Sequence, residues 1–218
     1  MSPELVTLNR MIDQAFDHKS WHGTNLKGSI KGITAKQAAW RPNRERHNIW
    51  EIVVHSAYWK YAVVRRLLSE KRGSFPVKGS NWFVRPSLGT SEAEWKADVR
   101  LLLAMHAKLK GVIGELTSKD LAAIAAGSKL RNIDLLTGIA AHDLYHAGQI
   151  QLLKRLHSGS GDCHKLRLIL RPSPAALRAS PSPKGRGYLS YAASSSWESL
   201  LRCSIRRPIS SSSAWSRF

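Results

Sequence analysis

The sequence predicts an all-α fold: a four-helix bundle with a long crossover connection, followed by a disordered basic C-terminal tail. Three observations predict it. Apolar residues recur at helical spacing through residues 1–157, and no segment there alternates with a period of two. Four of the helical segments are long, and the second and third are separated by an extended loop. After His157 the composition changes to Pro, Ser, Gly and Arg with no sustained period.

The first long helix is expected from Pro3 to about Asp17. Ser2 is its N-cap and Pro3 its first residue, where a missing N–H costs little. Leu5, Leu8, Ile12, Ala15 and Phe16 form its apolar stripe. In the segment that follows, WHGTNLKGSIKGITAKQAAWRP, Thr34 and Gln37 have capping-box spacing and predict a short helical turn. The second long helix is expected from Asn48, with Glu51 as its box partner, to about Arg72, stopped by Gly73. Ile52, His55, Ser56, Trp59, Val63 and Leu67 share one of its faces. The loop GSFPVKGSNWFVRPSLGT mixes prolines and glycines with aromatics, as a lid or a packed crossover does. The third helix opens at Ser91 with Glu94 three residues on, and its stripe continues to Leu116. The fourth is expected from Asn132 to His157, with Leu135, Ile139, His142, His146, Gln149 and Leu153 along one side.

The expected domains are 1–157, the helical unit, and 158–218, a Pro/Ser/Arg-rich tail too poor in apolar residues to offset its ordering entropy. Within the tail only HKLRLILR (164–171) has the pattern of a short helix or strand. A shifted reading frame or read-through is one origin for such a tail, which the nucleotide sequence would reveal. The two cysteines, Cys163 and Cys203, both fall in this tail, which excludes a disulfide scaffold and fits a reducing compartment. The N-terminus lacks the pattern of a signal peptide, and no run is long enough to span a membrane. A cytoplasmic location is expected. Of the formal net charge of +19, the tail carries +8, and the excess in 1–157 is scattered in short clusters. A nucleic-acid partner is therefore not expected for the helical unit.

The chemistry-bearing segment is AHDLYHAGQIQLLKRL (141–156). His142 and His146, four apart on a helix, project from one face within reach of a shared ion. Neutral imidazole suits zinc, nickel or iron(II). A third ligand must come from another helix, and His55 is the candidate, mid-helix on an otherwise apolar face. Trp59, one turn on, is expected beside the site, and Gln149 either lines it or serves as a packing amide. Asp143 replaces the glutamate of the H-E-x-x-H protease pattern, so that chemistry is discounted. Asp143 is expected exposed or behind an imidazole N–H. His18, His106 and His157 read as surface or helix-end residues, His47 as a residue just outside a helix start, and His22 as a loop residue able to approach the pocket.

The segment AHDLYHAGQIQLLKRL resembles the last-helix signature of the DinB-like (DinB/YfiT-like) family. RHNIWEIVVHSAYWKYAVVRRL (46–67) resembles that family's second helix, and residues 21–42 its connection from the first. The resemblance covers residues 3–157. It implies a four-helix bundle, often a homodimer, with a three-histidine site for a divalent metal ion, commonly zinc or nickel. His55, His142 and His146 match those positions. Some members are S-transferases or isomerases that use bacillithiol, mycothiol or glutathione. By that resemblance the expected function is a metal-dependent thiol S-transferase acting on a small electrophilic substrate. Residues 1–157 contain no cysteine, so the reactive thiol would come from the small-molecule partner. Metal-dependent hydrolysis at the same site, a non-catalytic stress-response or binding module, and a metal-stabilised dimer are the alternatives.

Overall fold

The computed structural model describes residues 2–71, 73, 75–86 and 89–169, with side chains to residue 159. Met1–Ile169 form one compact unit. Its helices are α1 (Pro3–Phe16), α2 (Leu26–Ile30), α3 (Ala35–Ala39), α4 (Ile49–Leu67), α5 (Glu92–Glu115), α6 (Ser118–Ala122) and α7 (Asn132–Ile169). Only isolated β-bridges, Ser80 with Trp82 and Ile124 with Arg131, interrupt this all-α architecture among the described residues. The four long helices touch in a closed ring, α1 to α7, α7 to α4, α4 to α5 and α5 to α1. The loop between α4 and α5 makes the long connection. No described helix is long and apolar enough to cross a membrane.

Local chemistry explains most boundaries. Ser2 accepts the Leu5 N–H ahead of Pro3 at the start of α1. Complete capping boxes, Thr34 with Gln37 and Asn48 with Glu51, start α3 and α4. At α5 only half of the expected box forms: Ser91 accepts the Glu94 N–H. The neighbouring carboxylate of Glu92 instead accepts the Ala35 N–H of α3 at 2.7 Å.

Two helix ends differ from expectation. The second long helix stops at Leu67, not near Arg72, because Ser69 takes the left-handed conformation, φ 55°. Glu70 N–H then donates to the Arg65 carbonyl and Ser69 N–H to that of Arg66, the bond pair of a Schellman cap. Serine fills the position that glycine usually takes, so the sequence pointed to Gly73. The last helix passes His157 and runs through SGSGDCHKLRLI to Ile169. Glycine weakens a helix by about 1 kcal/mol without breaking it, and the first proline beyond is Pro172. HKLRLI thus lies on a helix; the rest of the expected tail, 170–218, is outside the described residues.

The core divides along its length. One apolar cluster joins Leu26, Trp50, Val53, Phe83, Leu102 and Ile150. The other joins Leu5, Ile12, Val64, Leu109, Ile113 and Leu136. Along α4 the buried run between Val54 and Val63 carries His55, Ser56 and Lys60. Along α7 the matching stretch between Ala140 and Ile150 carries Asp143 and His146, and α5 adds His106. Polar side chains therefore separate the two apolar clusters, and the histidines belong to this layer.

Its structural tie is the ion pair between Lys60 and Asp143, 0 % and 1 % exposed. Burial lowers the Lys60 pKa and raises that of Asp143, and each charge opposes the other's shift. The Lys60 ammonium also lies 4.8 Å from the centre of the Phe16 ring on α1. Removing one member strands a buried charge. Asp143→Ala is expected to lower stability by about 3–5 kcal/mol in urea unfolding. Lys60→Met with Asp143→Leu is expected to recover most of that loss, because no charge is then left unpaired.

Candidate metal centre

The three predicted histidines converge. His55 Nε2 lies 3.1 Å from His142 Nε2, and His146 Nε2 lies 3.0 Å from it. Their ligand atoms all fall within 4.8 Å of one another, and the group could hold a metal ion. Helix α4 supplies His55 from its second turn, fixed by the Asn48–Glu51 box at its start. Helix α7 supplies the other two from adjacent turns of one face.

Hydrogen bonding at the outer nitrogens orients two of the rings. His55 Nδ1–H donates to the Asn81 carbonyl at 2.8 Å. His146 Nδ1–H donates to Gln149 Oε1 at 2.7 Å, and the Gln149 amide N–H donates to the Tyr145 hydroxyl at 2.9 Å. With Nδ1 protonated, Nε2 of each ring carries a lone pair aimed at His142 Nε2. One N–H on His142 could satisfy only one of the two. At least one lone-pair contact near 3 Å is left over, and a shared cation relieves it. Two nitrogens each about 2.1 Å from one ion, at right angles about it, stand about 3.0 Å apart. The donor set and its spacing therefore fit a divalent metal.

Electrostatics keep the donors free of protons. Burial lowers the pKa of His55 to about 3, of His142 to about 2 and of His146 to about 4. The neighbouring imidazoles push His142 down further. All three are neutral near pH 7, as ligation requires.

The α4–α5 loop closes over the centre. Asn81, at φ 62°, turns its carbonyl to His55 while its side-chain oxygen accepts the Trp59 indole N–H at 3.1 Å. Asparagine tolerates this left-handed conformation better than most residues. Trp82 stacks on His55 with centroids 3.8 Å apart, and His47 stacks on the other face of Trp82 at 3.6 Å. His47 in turn bonds to Glu51, which is gripped by both terminal nitrogens of Arg41. Trp59 stands edge-on to His55 and His142, beside the site as expected.

Other expectations change. Asp143 is neither exposed nor behind an imidazole; it turns into the core onto Lys60. His106 is not on the surface but 6 % exposed, stacked on Phe16 at 3.6 Å. His22 is exposed and bonded to Ser20 and does not join the three histidines. Gln149 lines the site through His146. Sequence reasoning missed Asn81, Trp82 and Lys60; the aromatic-rich crossover was the available signal for the first two.

His106 adds a fourth imidazole with a depressed pKa, lowered to about 3 first by burial and then by Lys60. The four histidines set a sign for acid sensitivity. Each has a folded pKa below its unfolded value near 6.5, so the unfolded chain takes up protons first. Their contribution is complete above about pH 6.5 and is lost as pH falls toward the folded values. Asp98 and Asp143, whose pKa values burial raises, act oppositely but start from the carboxylate range. In chelator-treated protein, urea midpoints are expected to fall from pH 7 to pH 5, with a slope of up to about 1.4 kcal/mol per pH unit for each histidine. His106→Leu is expected to flatten that slope; an unchanged slope would exclude His106 from it.

No match was found among curated proteins or among solved structures. The sequence profile of the DinB superfamily matches residues 20–150, a span that includes α2 to α6 and the histidines of both α4 and α7. With well over half its length matched, the chain belongs to the DinB superfamily.

Proposed function

We propose that the chain binds one divalent metal ion, zinc or nickel, through His55, His142 and His146, and that it is a thiol S-transferase acting on a small electrophile. The observation that carries the reading is the convergence of three neutral imidazole nitrogens, two of them held in the tautomer that points a lone pair inward. A divalent ion so held supplies Lewis acidity, which lowers the pKa of a thiol from about 8.5 and provides thiolate at neutral pH.

The chain's own groups do the positioning. Asn81 and Gln149 hold the rings of His55 and His146 against rotation. Trp59 and Trp82 wall the centre with apolar surface, which strengthens electrostatic interactions within it. Half-buried His142 and exposed Tyr145 mark the side open to a substrate. Residues 1–157 hold no cysteine, so the sulfur nucleophile comes with a small-molecule thiol such as bacillithiol, mycothiol or glutathione. Its attack forms a carbon–sulfur bond as the electrophile's leaving group departs, and the thiol proton passes to solvent. The setting is the cytoplasmic thiol pool, and the assembly a homodimer.

Metal analysis of the full chain is expected to find one ion per chain, lost in His55→Ala and in His142→Ala. Gln149→Ala is expected to retain the fold and weaken metal affinity about 10–100-fold. Assays pairing each thiol with an alkylating electrophile are expected to show turnover that chelation abolishes. Metal-dependent turnover of an ester without thiol would replace transfer with hydrolysis. Bound metal without turnover of either kind would leave a metal-binding protein and end the transferase reading.

A further inference from the structure

A second concave surface lies between α2 and α5, built from residues other than those of the histidine centre. It encloses about 910 Å³, within the usual range of small-molecule clefts. Its floor is apolar: Ile30, Ile33 and Trp95 at the bottom, half-buried Val99 and Leu103 along the α5 side. The Trp95 indole N–H donates to the Ile33 carbonyl at 2.8 Å, and Glu92 ties α5 to the start of α3. The walls are therefore fixed to one another, not merely adjacent.

The rim is unbalanced in charge. Its two acids are engaged: Asp17 pairs with His18 and Lys27, and Glu92 accepts the Ala35 N–H. Lys19, Lys31, Lys96 and Arg100 line the same groove, are exposed, and form no ion pair among the described residues. Cations grouped around an apolar floor differ from the row of charges that tracks a phosphate backbone. They match a ligand with an anionic head and an apolar body, the body desolvated on Trp95, Val99 and Leu103 and the head held at the rim.

We infer that the α2–α5 groove binds a single-chain anionic amphiphile, with Lys31, Lys96 and Arg100 receiving its head group.

Decanoate, kept below its micellar concentration, is the probe, titrated calorimetrically into the full chain at fixed salt. Saturable binding of one decanoate per chain is expected, with acetate and decanol each at least ten-fold weaker. Lys96→Glu with Arg100→Glu is expected to weaken decanoate at least ten-fold. Lys119→Glu with Lys129→Glu makes the same net charge change at exposed positions outside the groove and is expected to leave binding within two-fold. Lys31→Glu alone, expected to weaken binding about three-fold, carries the test if the double variant loses its circular dichroism signal. No saturation, decanol binding equal to decanoate, or equal weakening by both charge-reversed pairs would overturn the inference. Metal content is unaffected by any of these variants, so the outcome stands apart from that of the histidine centre.

Discussion

The fold is organised around a costly feature, a layer of polar side chains inside the helical core. His55, His146, Lys60 and Asp143, with half-buried His142 beside them, occupy positions on α4 and α7 where apolar residues would stabilise more. Apolar packing on both sides makes the layer tolerable: Trp50, Val53 and Leu102 at one end, Val64, Leu109 and Leu136 at the other. Lys60 and Asp143 neutralise each other, and that pair ties the two helices that carry the histidines. The geometry of His142 is thus coupled to a charge pair one residue away in sequence, on the same turn of α7.

Placement of His55 depends on a different device. Its helix is started by the Asn48–Glu51 box, and Glu51 also binds Arg41 and His47, joining the segment before α4 to the helix. The crossover loop then reaches back with Asn81 and Trp82. The ring of His55 is consequently held by a hydrogen bond at one nitrogen and an indole on its face, leaving Nε2 as its free coordinating atom. The stack of His47, Trp82 and His55 continues this support to the surface. A ring held in this way loses less freedom when it takes up a ligand.

What was legible in the sequence followed from period and spacing. The stripe on α1, the caps at Ser2, Thr34 and Asn48, and the i, i+4 pair His142 and His146 are local patterns, and local patterns survive without knowledge of tertiary contacts. His55 was identified because its neighbours at helical spacing are apolar and a site with two histidines needs a third. Ser69 was not legible as a stop, since the left-handed cap is usually glycine. The burial of Lys60, Asp143 and His106 was not legible either: each has a partner supplied by another helix, and Lys60 and Asp143 are 83 residues apart. Asn81 is a similar case, because a carbonyl acceptor has no residue signature.

The charge balance of the centre bears on what it could bind. The group that could hold a metal ion contains three neutral imidazoles and no carboxylate. The nearest acid in sequence, Asp143, faces Lys60 and brings no net negative charge. A divalent cation in this setting would keep its full charge, in a site whose walls are indole and imidazole rings and whose local dielectric is low. The open positions of such an ion would therefore favour an anion over a neutral ligand. Thiolate and hydroxide both satisfy that demand, and at neutral pH a thiol with a pKa of about 8.5 ionises far more readily than water, at about 15.7. Where a small thiol is abundant, the electrostatics that would activate water would select sulfur instead, as the proposed S-transfer requires.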